Sequence, residues 1–180
     1  IVGEDGSTPA VESPESRAGL QALVDGYQNN VIAAKTDAFS EEETALGFLN
    51  GETLYSYNWP YMYDKARTEG KPEVAENFNV APIVGPDGVG ASTLGGYNNA
   101  INVYSENKAT AVDFIEYIIG EEVQMGFAEA SFPPVLAKIY DDPGLQEQFP
   151  YMAVLKVALE NAKPRPVTPY YSQMSADALQ

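Results

Sequence analysis

The chain has 180 residues, of which 44% are hydrophobic and 20% charged, as expected for a globular protein with one sizeable core or two small ones. Its 26 acidic and 10 basic residues give a net charge of −16, which disfavours binding to nucleic acid or to an anionic membrane. The sequence has neither cysteine nor histidine, which excludes disulfides, thiolate nucleophiles, cysteine-ligated metals and imidazole bases.

The first half of the chain predicts three helices. The pair Ser13-Pro14 supplies an N-cap and a first helical residue, so a helix begins there and ends near 29–30. A second N-cap at Ser40 precedes apolar residues at helical spacing, and this helix ends at 50–51. A third helix is predicted from 60 to about 69, because Gly-Lys-Pro follows it.

Three runs rich in aromatic and β-branched residues predict short strands. They cover residues 53–57, 78–83 and 97–104. A glycine-rich loop at 85–96 separates the second run from the third.

The second half of the chain predicts further helices. One covers 108–119, with Ser105 as the candidate N-cap and Gly120 as its end, and others cover 121–130 and about 144–161. Helices that alternate with short strands indicate an α/β class, made mostly of helices with a few short strands.

The glycine-rich loop does not match a phosphate site. A P-loop needs lysine followed by serine or threonine, and a dinucleotide fingerprint needs three spaced glycines that lead into a helix. Here Thr93 stands where the third glycine belongs, and Gly95-Gly96 enters a strand-like run. The glycine pair either lets a ligand approach the backbone beside Tyr97 or forms a tight structural turn.

An aromatic run and an isolated arginine are the other informative features. The run "YSYNWPYMY" at 55–63 holds five aromatic residues in nine positions. Tyrosine and tryptophan rings suit the C–H faces and hydroxyls of a sugar, whereas core packing is the alternative. Arg165 stands between two prolines, where its guanidinium can donate several hydrogen bonds to ligand hydroxyls, or can be a solvated loop charge.

The order of these features resembles one protein family. The segments "FLNGETLYSYNWPYMYDKA", "FNVAPIVGPDGVGASTLGGYNNAINVYSENKATAVDFIEYIIGEEVQMGFAE", "FPPVLAKIYDDP" and "KPRPVTPYYSQMS" resemble the carboxy-terminal half of bacterial ABC-transporter extracellular solute-binding proteins. The likeness covers nearly the whole chain and is greatest to the trehalose/maltose-binding branch of the maltose-binding-protein-like family.

The resemblance implies a fragment of a two-lobed periplasmic-binding-protein fold of type II, which closes on an α-glucoside such as trehalose or maltose. In this family an aromatic residue after the "GET" segment stacks on a sugar, and Tyr61 matches it. A second aromatic residue after the glycine pair matches Tyr97, and the arginine of the "RPV" segment matches Arg165. The predicted ligand-binding residues are therefore Trp59, Tyr61, Gly96, Tyr97, Asn98 and Arg165. The resemblance implies no catalytic residue, metal ligand or cofactor.

The resemblance also implies how the chain divides and where it works. Residues 1–78 and 134–180 would belong to the second lobe and 79–133 to the first. The sugar would pass to ABC transporter permease subunits, at the extracellular face of the membrane or in the periplasm, from a parent protein with a lipid anchor. A fragment without the rest of the first lobe is expected to form a homodimer or a domain-swapped assembly.

Two other classes stay open from the residues alone. A glycoside hydrolase would need two carboxylates placed across a sugar, and the available acidic clusters are 41–43 and 141–142. A non-catalytic interaction domain without a sugar ligand fits the acidity and the aromatic content equally well.

Overall fold

The computed structural model describes Thr8 and residues 10–177. In chain order the helices of this part are α1 (Pro14–Gln28), α2 (Glu41–Leu49), α3 (Met62–Glu69), α4 (Pro72–Ala75), α5 (Lys108–Ile119), α6 (Glu121–Glu129), α7 (Pro143–Gln148), α8 (Tyr151–Glu160) and α9 (Tyr171–Asp177). The strands have two residues each: β1 (Val84–Gly85), β2 (Gly88–Val89), β3 (Thr93–Leu94) and β4 (Lys163–Pro164). Short 3₁₀ helices cover Ala34–Ala38 and Ala137–Asp141.

The chain divides into two compact units. One unit comprises Ile1–Ser40 and Pro164–Gln180, and the other comprises Glu41–Lys163. We call them the terminal unit and the central unit. The assignment of 1–78, 79–133 and 134–180 to two lobes concerns a larger parent fold and stays a prediction.

The terminal unit contains α1, which begins and ends as predicted. The Ser13 hydroxyl accepts a hydrogen bond from the Ser16 N–H at 3.2 Å, and Pro14 occupies the first turn. The helix ends at Asn29, and Asn30 adopts a φ of 56°. Local capping chemistry therefore determines both ends of this helix.

In the central unit, α2, α3, α5 and α6 confirm the predicted helices. Gly51, with a φ of 70°, follows the end of α2 as the prediction requires. The predicted cap of α5 is wrong: Asn107, not Ser105, occupies the N-cap position. The Ser105 hydroxyl instead accepts a hydrogen bond from the Asn107 N–H at 3.2 Å, which organises the turn before the helix.

The single helix predicted over 144–161 is wrong, because two helices lie there. Helix α7 ends at Gln148 and α8 begins at Tyr151. Pro150 has no N–H to continue the helical hydrogen bonds, and it disfavours helical backbone at the preceding residue. Accordingly Phe149 adopts a φ of −128° and a ψ of 77°.

The predicted strands at 53–57 and 97–104 are also wrong, since these residues have no strand pairing. The strand predicted at 78–83 is displaced: β1 begins at Val84, and only the Ile83 carbonyl of the predicted range accepts a hydrogen bond from the opposite strand, from the Gly90 N–H at 2.6 Å. The pairing present is an antiparallel hairpin, in which Val84 lies opposite Val89 and Gly85 opposite Gly88. A second two-stranded sheet joins β3 to β4, and the Lys163 N–H donates to the Ser92 carbonyl at 2.8 Å. Apolar strand-like residues form strands only where a neighbouring strand pairs with them.

The core of the central unit lies where α6, α7 and α8 meet the second 3₁₀ helix. Its buried residues are Ala128, Ile139, Tyr140, Leu145, Phe149, Tyr151 and Met152. The Tyr140 hydroxyl donates to the Pro134 carbonyl at 2.7 Å, and the Tyr151 hydroxyl donates to the Ala128 carbonyl at 2.8 Å. Burial raises the pKa of Tyr140 to about 12.

Helix α5 contrasts with this core because it buries none of its residues, although it carries a long apolar face. Phe114 on this face is 60% exposed. No helix in the described part of the chain has the length and apolar character required to cross a membrane.

Candidate functional site

Trp59 lies in the irregular segment before α3 and is held there by Asn58. The Asn58 side-chain carbonyl accepts a hydrogen bond from the Trp59 N–H at 2.8 Å. The Asn58 amide donates in turn to the Glu41 carbonyl at 3.4 Å. The Trp59 carbonyl accepts from the Met62 N–H at 3.1 Å, which leads the chain into α3. These bonds fix the backbone at Trp59 from both sides.

The structure places the Trp59 ring against the glycine pair. A Cβ added to Gly95 would lie 3.8 Å from both Cη2 and Cζ3 of the indole, at ordinary van der Waals distance. The tryptophan side chain nevertheless stays 53% exposed. One part of the ring therefore packs on the loop and the rest faces solvent.

Neither the backbone conformation nor the packing of the protein explains why residues 95 and 96 are glycine. Neither Gly95 nor Gly96 has a positive φ, unlike Gly51 and Gly88. A Cβ added to Gly96 would meet no atom within 4 Å. The structure has no turn at these residues, and their backbone conformation does not require glycine.

The backbone that follows the glycine pair is unpaired. Within the described residues, the main-chain groups of Gly96, Tyr97 and Asn98 make no hydrogen bond. Tyr97 and Asn98 are both exposed, Tyr97 fully. Because two residues span at most about 7 Å of chain, the backbone of Tyr97 lies close to the Trp59–Gly95 contact. Trp59, Gly96, Tyr97 and Asn98 thus belong to one exposed patch, which we call the loop patch.

Tyr61 is half-buried and lines a separate cavity of about 250 Å³. The other lining residues of this cavity are Asp64, Lys65, Glu69, Ala130 and Phe132. Burial raises the pKa of Tyr61 to about 12, and the neighbouring carboxylates of Glu41 and Glu42 act in the same direction. Its hydroxyl therefore stays protonated across the physiological pH range.

The remaining aromatic residues of the run 55–63 divide between surface and core. Tyr55 and Tyr57 are exposed. Tyr63 instead stacks on Tyr151 with ring centroids 4.6 Å apart, and it meets the ring of Phe78 edge-on at 5.4 Å. Core packing, the alternative interpretation of the run, is correct for Tyr63.

Arg165 belongs to the terminal unit and lies on an aromatic ring. Its guanidinium carbon lies 5.2 Å from the centroid of the Tyr171 ring. Nη1 donates to the Tyr171 hydroxyl at 3.5 Å, and the side chain is otherwise exposed. The ring limits the orientations of the guanidinium and leaves most of its N–H groups free to donate.

One residue in each of the two acidic clusters, 41–43 and 141–142, forms an ion pair. Glu42 is paired with Lys65 at 2.6 Å, and Asp141 is paired with Lys156. No group of three or more acidic residues within the described ranges is placed to hold a metal ion.

One relationship could not be found from the sequence. Trp59 and Gly95 are far apart in the chain, and no periodicity or motif links them. Their contact depends on the fold of the central unit, so only the structure brings the aromatic run to the glycine pair.

The chain is similar to several known proteins. A family model described as bacterial extracellular solute-binding protein matches residues 3–151. A probable ABC transporter-binding protein of Deinococcus radiodurans is 34% identical over 160 residues, or 88% of this chain and 38% of the relative. The solved structure of maltose-bound T. maritima MalE3 matches with a TM-score of 0.85 at 32% identity, over 97% of this chain and 46% of that one.

The chain thus spans less than half the length of both relatives. The predicted fold class, mostly helices with a few short strands in a periplasmic-binding-protein fold, is confirmed. The family match covers most of the sequence, and the homologue and the structural neighbour agree with it. The chain belongs to the bacterial extracellular solute-binding protein family.

Proposed function

We propose that this chain carries one wall of a sugar-binding site, in a protein that delivers an α-glucoside to an ABC transporter permease. The observation that carries the proposal is the loop patch. There the half-exposed indole of Trp59 packs against Gly95. Neither glycine of the pair is required by its backbone conformation or by the packing of neighbouring residues.

The chemistry of the loop patch suits a sugar. The free part of the Trp59 ring and the ring of Tyr97 offer apolar faces to the C–H side of a pyranose. The unpaired N–H and carbonyl groups of Gly96 and Asn98 can bond to its hydroxyls. The missing side chain at Gly96 lets a ligand reach that backbone.

Tyr61 and Arg165 are the other two proposed ligand-binding residues, and neither belongs to the loop patch. Tyr61 lines its cavity beside the carboxylates of Asp64 and Glu69, which can accept hydrogen bonds from hydroxyls. Arg165 would donate to ligand hydroxyls with the N–H groups that Tyr171 leaves free. Each assignment rests on the position of the residue within its own unit.

The ligand class is inferred from chemistry and from similarity. The structural neighbour is described as maltose-bound, and we extend that ligand class, with trehalose as the second candidate, to this chain. The protein would act at the extracellular face of the membrane or in the periplasm, through a lipid-anchored parent. It would pass the sugar on chemically unchanged.

The chain's only tryptophan makes the test specific. Because the sequence contains one tryptophan, both its fluorescence and its indole N–H resonance report on the loop patch alone. We expect maltose or trehalose to change both signals in a saturable manner. One wall of a site leaves much of the sugar in water, so the expected dissociation constant is about 1 mM or weaker.

Matched variants separate this proposal from its rivals. Tyr97→Ala should weaken the sugar response, whereas Tyr104→Ala, at another strongly exposed tyrosine a few residues on, should leave it unchanged. An enzyme would consume the disaccharide, so analysis of the recovered sugar excludes or establishes hydrolysis. An absence of any response to a panel of disaccharides would favour an interaction domain without a sugar ligand.

A further inference from the structure

A second cavity lies in the central unit, away from the residues that form the loop patch. It has a volume of about 290 Å³ and is lined by Tyr63, Arg67, Ala75, Phe78, Asn79, Val80, Pro150, Tyr151 and Val154. This volume is near the lower end of the range of about 300 to 1,000 Å³ that is typical of small-molecule sites. The cavity therefore suits a ligand with a single ring.

Aromatic packing makes one wall of this cavity rigid. Tyr63 stacks on Tyr151 and contacts the edge of Phe78, so three rings support one another. The guanidinium carbon of Arg67 lies 5.7 Å from the Tyr63 ring centroid and 5.8 Å from that of Phe149. Contacts with two rings limit the positions that the cation can occupy.

Arg67 is an exposed residue of this cavity, and its charge has no protein partner among the described residues. None of its lining residues is acidic, although the chain as a whole carries a net charge of −16. Across the part of the chain that the structure covers, the Arg67 side chain has neither an ion pair nor a hydrogen-bond acceptor. Contact through a ring face leaves the guanidinium N–H groups, which lie in its plane, free to donate.

We propose that this cavity binds a small carboxylate with an apolar, single-ring body. The carboxylate would accept hydrogen bonds from the Arg67 guanidinium and from the side-chain NH₂ of Asn79. Asn79 is exposed; its side-chain oxygen accepts from the Val80 N–H at 2.8 Å, and its NH₂ makes no hydrogen bond within the described residues. The ring would pack against Phe78, Val80 and Val154. A neutral sugar would accept hydrogen bonds from this guanidinium but would supply no opposite charge.

Three small molecules test this proposal. Benzoate is the probe, benzamide is a neutral control of the same shape, and acetate is a carboxylate without a ring. Titration of the labelled chain, followed by amide chemical shifts, should show saturable changes at Val80 and Val154. Benzoate should bind at least about tenfold more tightly than benzamide, because a charge-assisted hydrogen bond is worth more than a neutral one. Acetate should also bind more weakly than benzoate, since it has no apolar body.

Variants test the role of the guanidinium. Arg67→Gln should lose the preference for benzoate over benzamide, and Arg67→Lys should recover only part of it. Arg17→Gln removes the same charge from an exposed position in the terminal unit and should change nothing. Equal binding of benzoate and benzamide to the unmodified chain, or shifts that avoid the cavity, would overturn the proposal without any variant. A sugar response at Trp59 with no benzoate response would overturn this inference alone.

Discussion

Replacement of Gly96 by valine separates a ligand-binding role from a structural role for the glycine pair. A Cβ at this position meets no atom within 4 Å, and the backbone φ is not positive. We therefore expect the free energy of unfolding to stay within about 0.5 kcal/mol of the unmodified chain, as for an ordinary surface substitution. The new side chain would nevertheless occupy the space through which a sugar reaches the backbone. Forcing such extra groups into a packed contact costs about 1 to 3 kcal/mol, or roughly 5- to 150-fold in affinity.

The assay is a maltose titration followed by the indole N–H resonance of the only tryptophan, with urea unfolding measured in parallel. Gly126→Val is the matched control, because a Cβ there also meets nothing within 4 Å and the site lies in α6. That variant should retain the sugar response. A ligand-binding role for Gly96 would be excluded if Gly96→Val bound maltose as tightly as the unmodified chain does, or if it lost more than about 1 kcal/mol of stability.

Four further outcomes are expected. Tyr61→Ala should weaken sugar binding by about 1 to 3 kcal/mol, measured by calorimetry, and unchanged affinity would return Tyr61 to a packing role. Arg165→Lys should lose most of the affinity that Arg165→Ala loses, because lysine lacks the planar array of donors; full retention by lysine would contradict this role. Light scattering should find a dimer that Phe114→Glu dissociates, since the α5 face is exposed, and a monomeric unmodified chain would exclude it. The pKa of Tyr140 is about 12 in the folded chain and about 10 in the unfolded chain, so the free energy of unfolding keeps its full Tyr140 contribution below pH 10 and loses it between pH 10 and 12. Tyr140→Phe should reduce this loss by roughly 2 kcal/mol when unfolding is measured against pH in alkaline solution. An identical pH profile for the variant and the unmodified chain would disprove it.

Helices were predictable from the sequence because their signals are local. The Ser13 cap, the Asn29 end and the periodicity of the segment between them all lie within one stretch of chain, and α1 matches them. The same holds for the end of α2 at Gly51, where a positive φ favours glycine. Pro150 carried a local signal as well, and it explains the break between α7 and α8.

Strands were not predictable because pairing depends on distant segments. Residues 97–104 have a strand-like composition, yet the structure gives them no partner. The strand that does form at β3 depends on β4, which lies much later in the chain. Composition indicates that a segment can pair, but the fold decides whether a partner is present.

The candidate site was predictable in its parts but not in its assembly. The aromatic run and the glycine pair both stand out in the sequence, whereas the contact of Trp59 with Gly95 comes from the tertiary fold. Sequence alone also could not separate Tyr63, which packs in the core, from the exposed Tyr55 and Tyr57 in the same run. Similar residue types at adjacent positions can have opposite burial, because burial depends on the surrounding elements.

In the proposed site a sugar lies against Trp59, over the glycine pair. Intermolecular nuclear Overhauser effects between the indole ring and a bound disaccharide test it most directly, because the chain has one tryptophan and its signals need no deconvolution. We expect contacts from the indole protons to the C–H protons of one face of a pyranose ring, with further contacts to Tyr97. A disaccharide that binds saturably but contacts other residues, with no contact to Trp59, would exclude this position for the sugar.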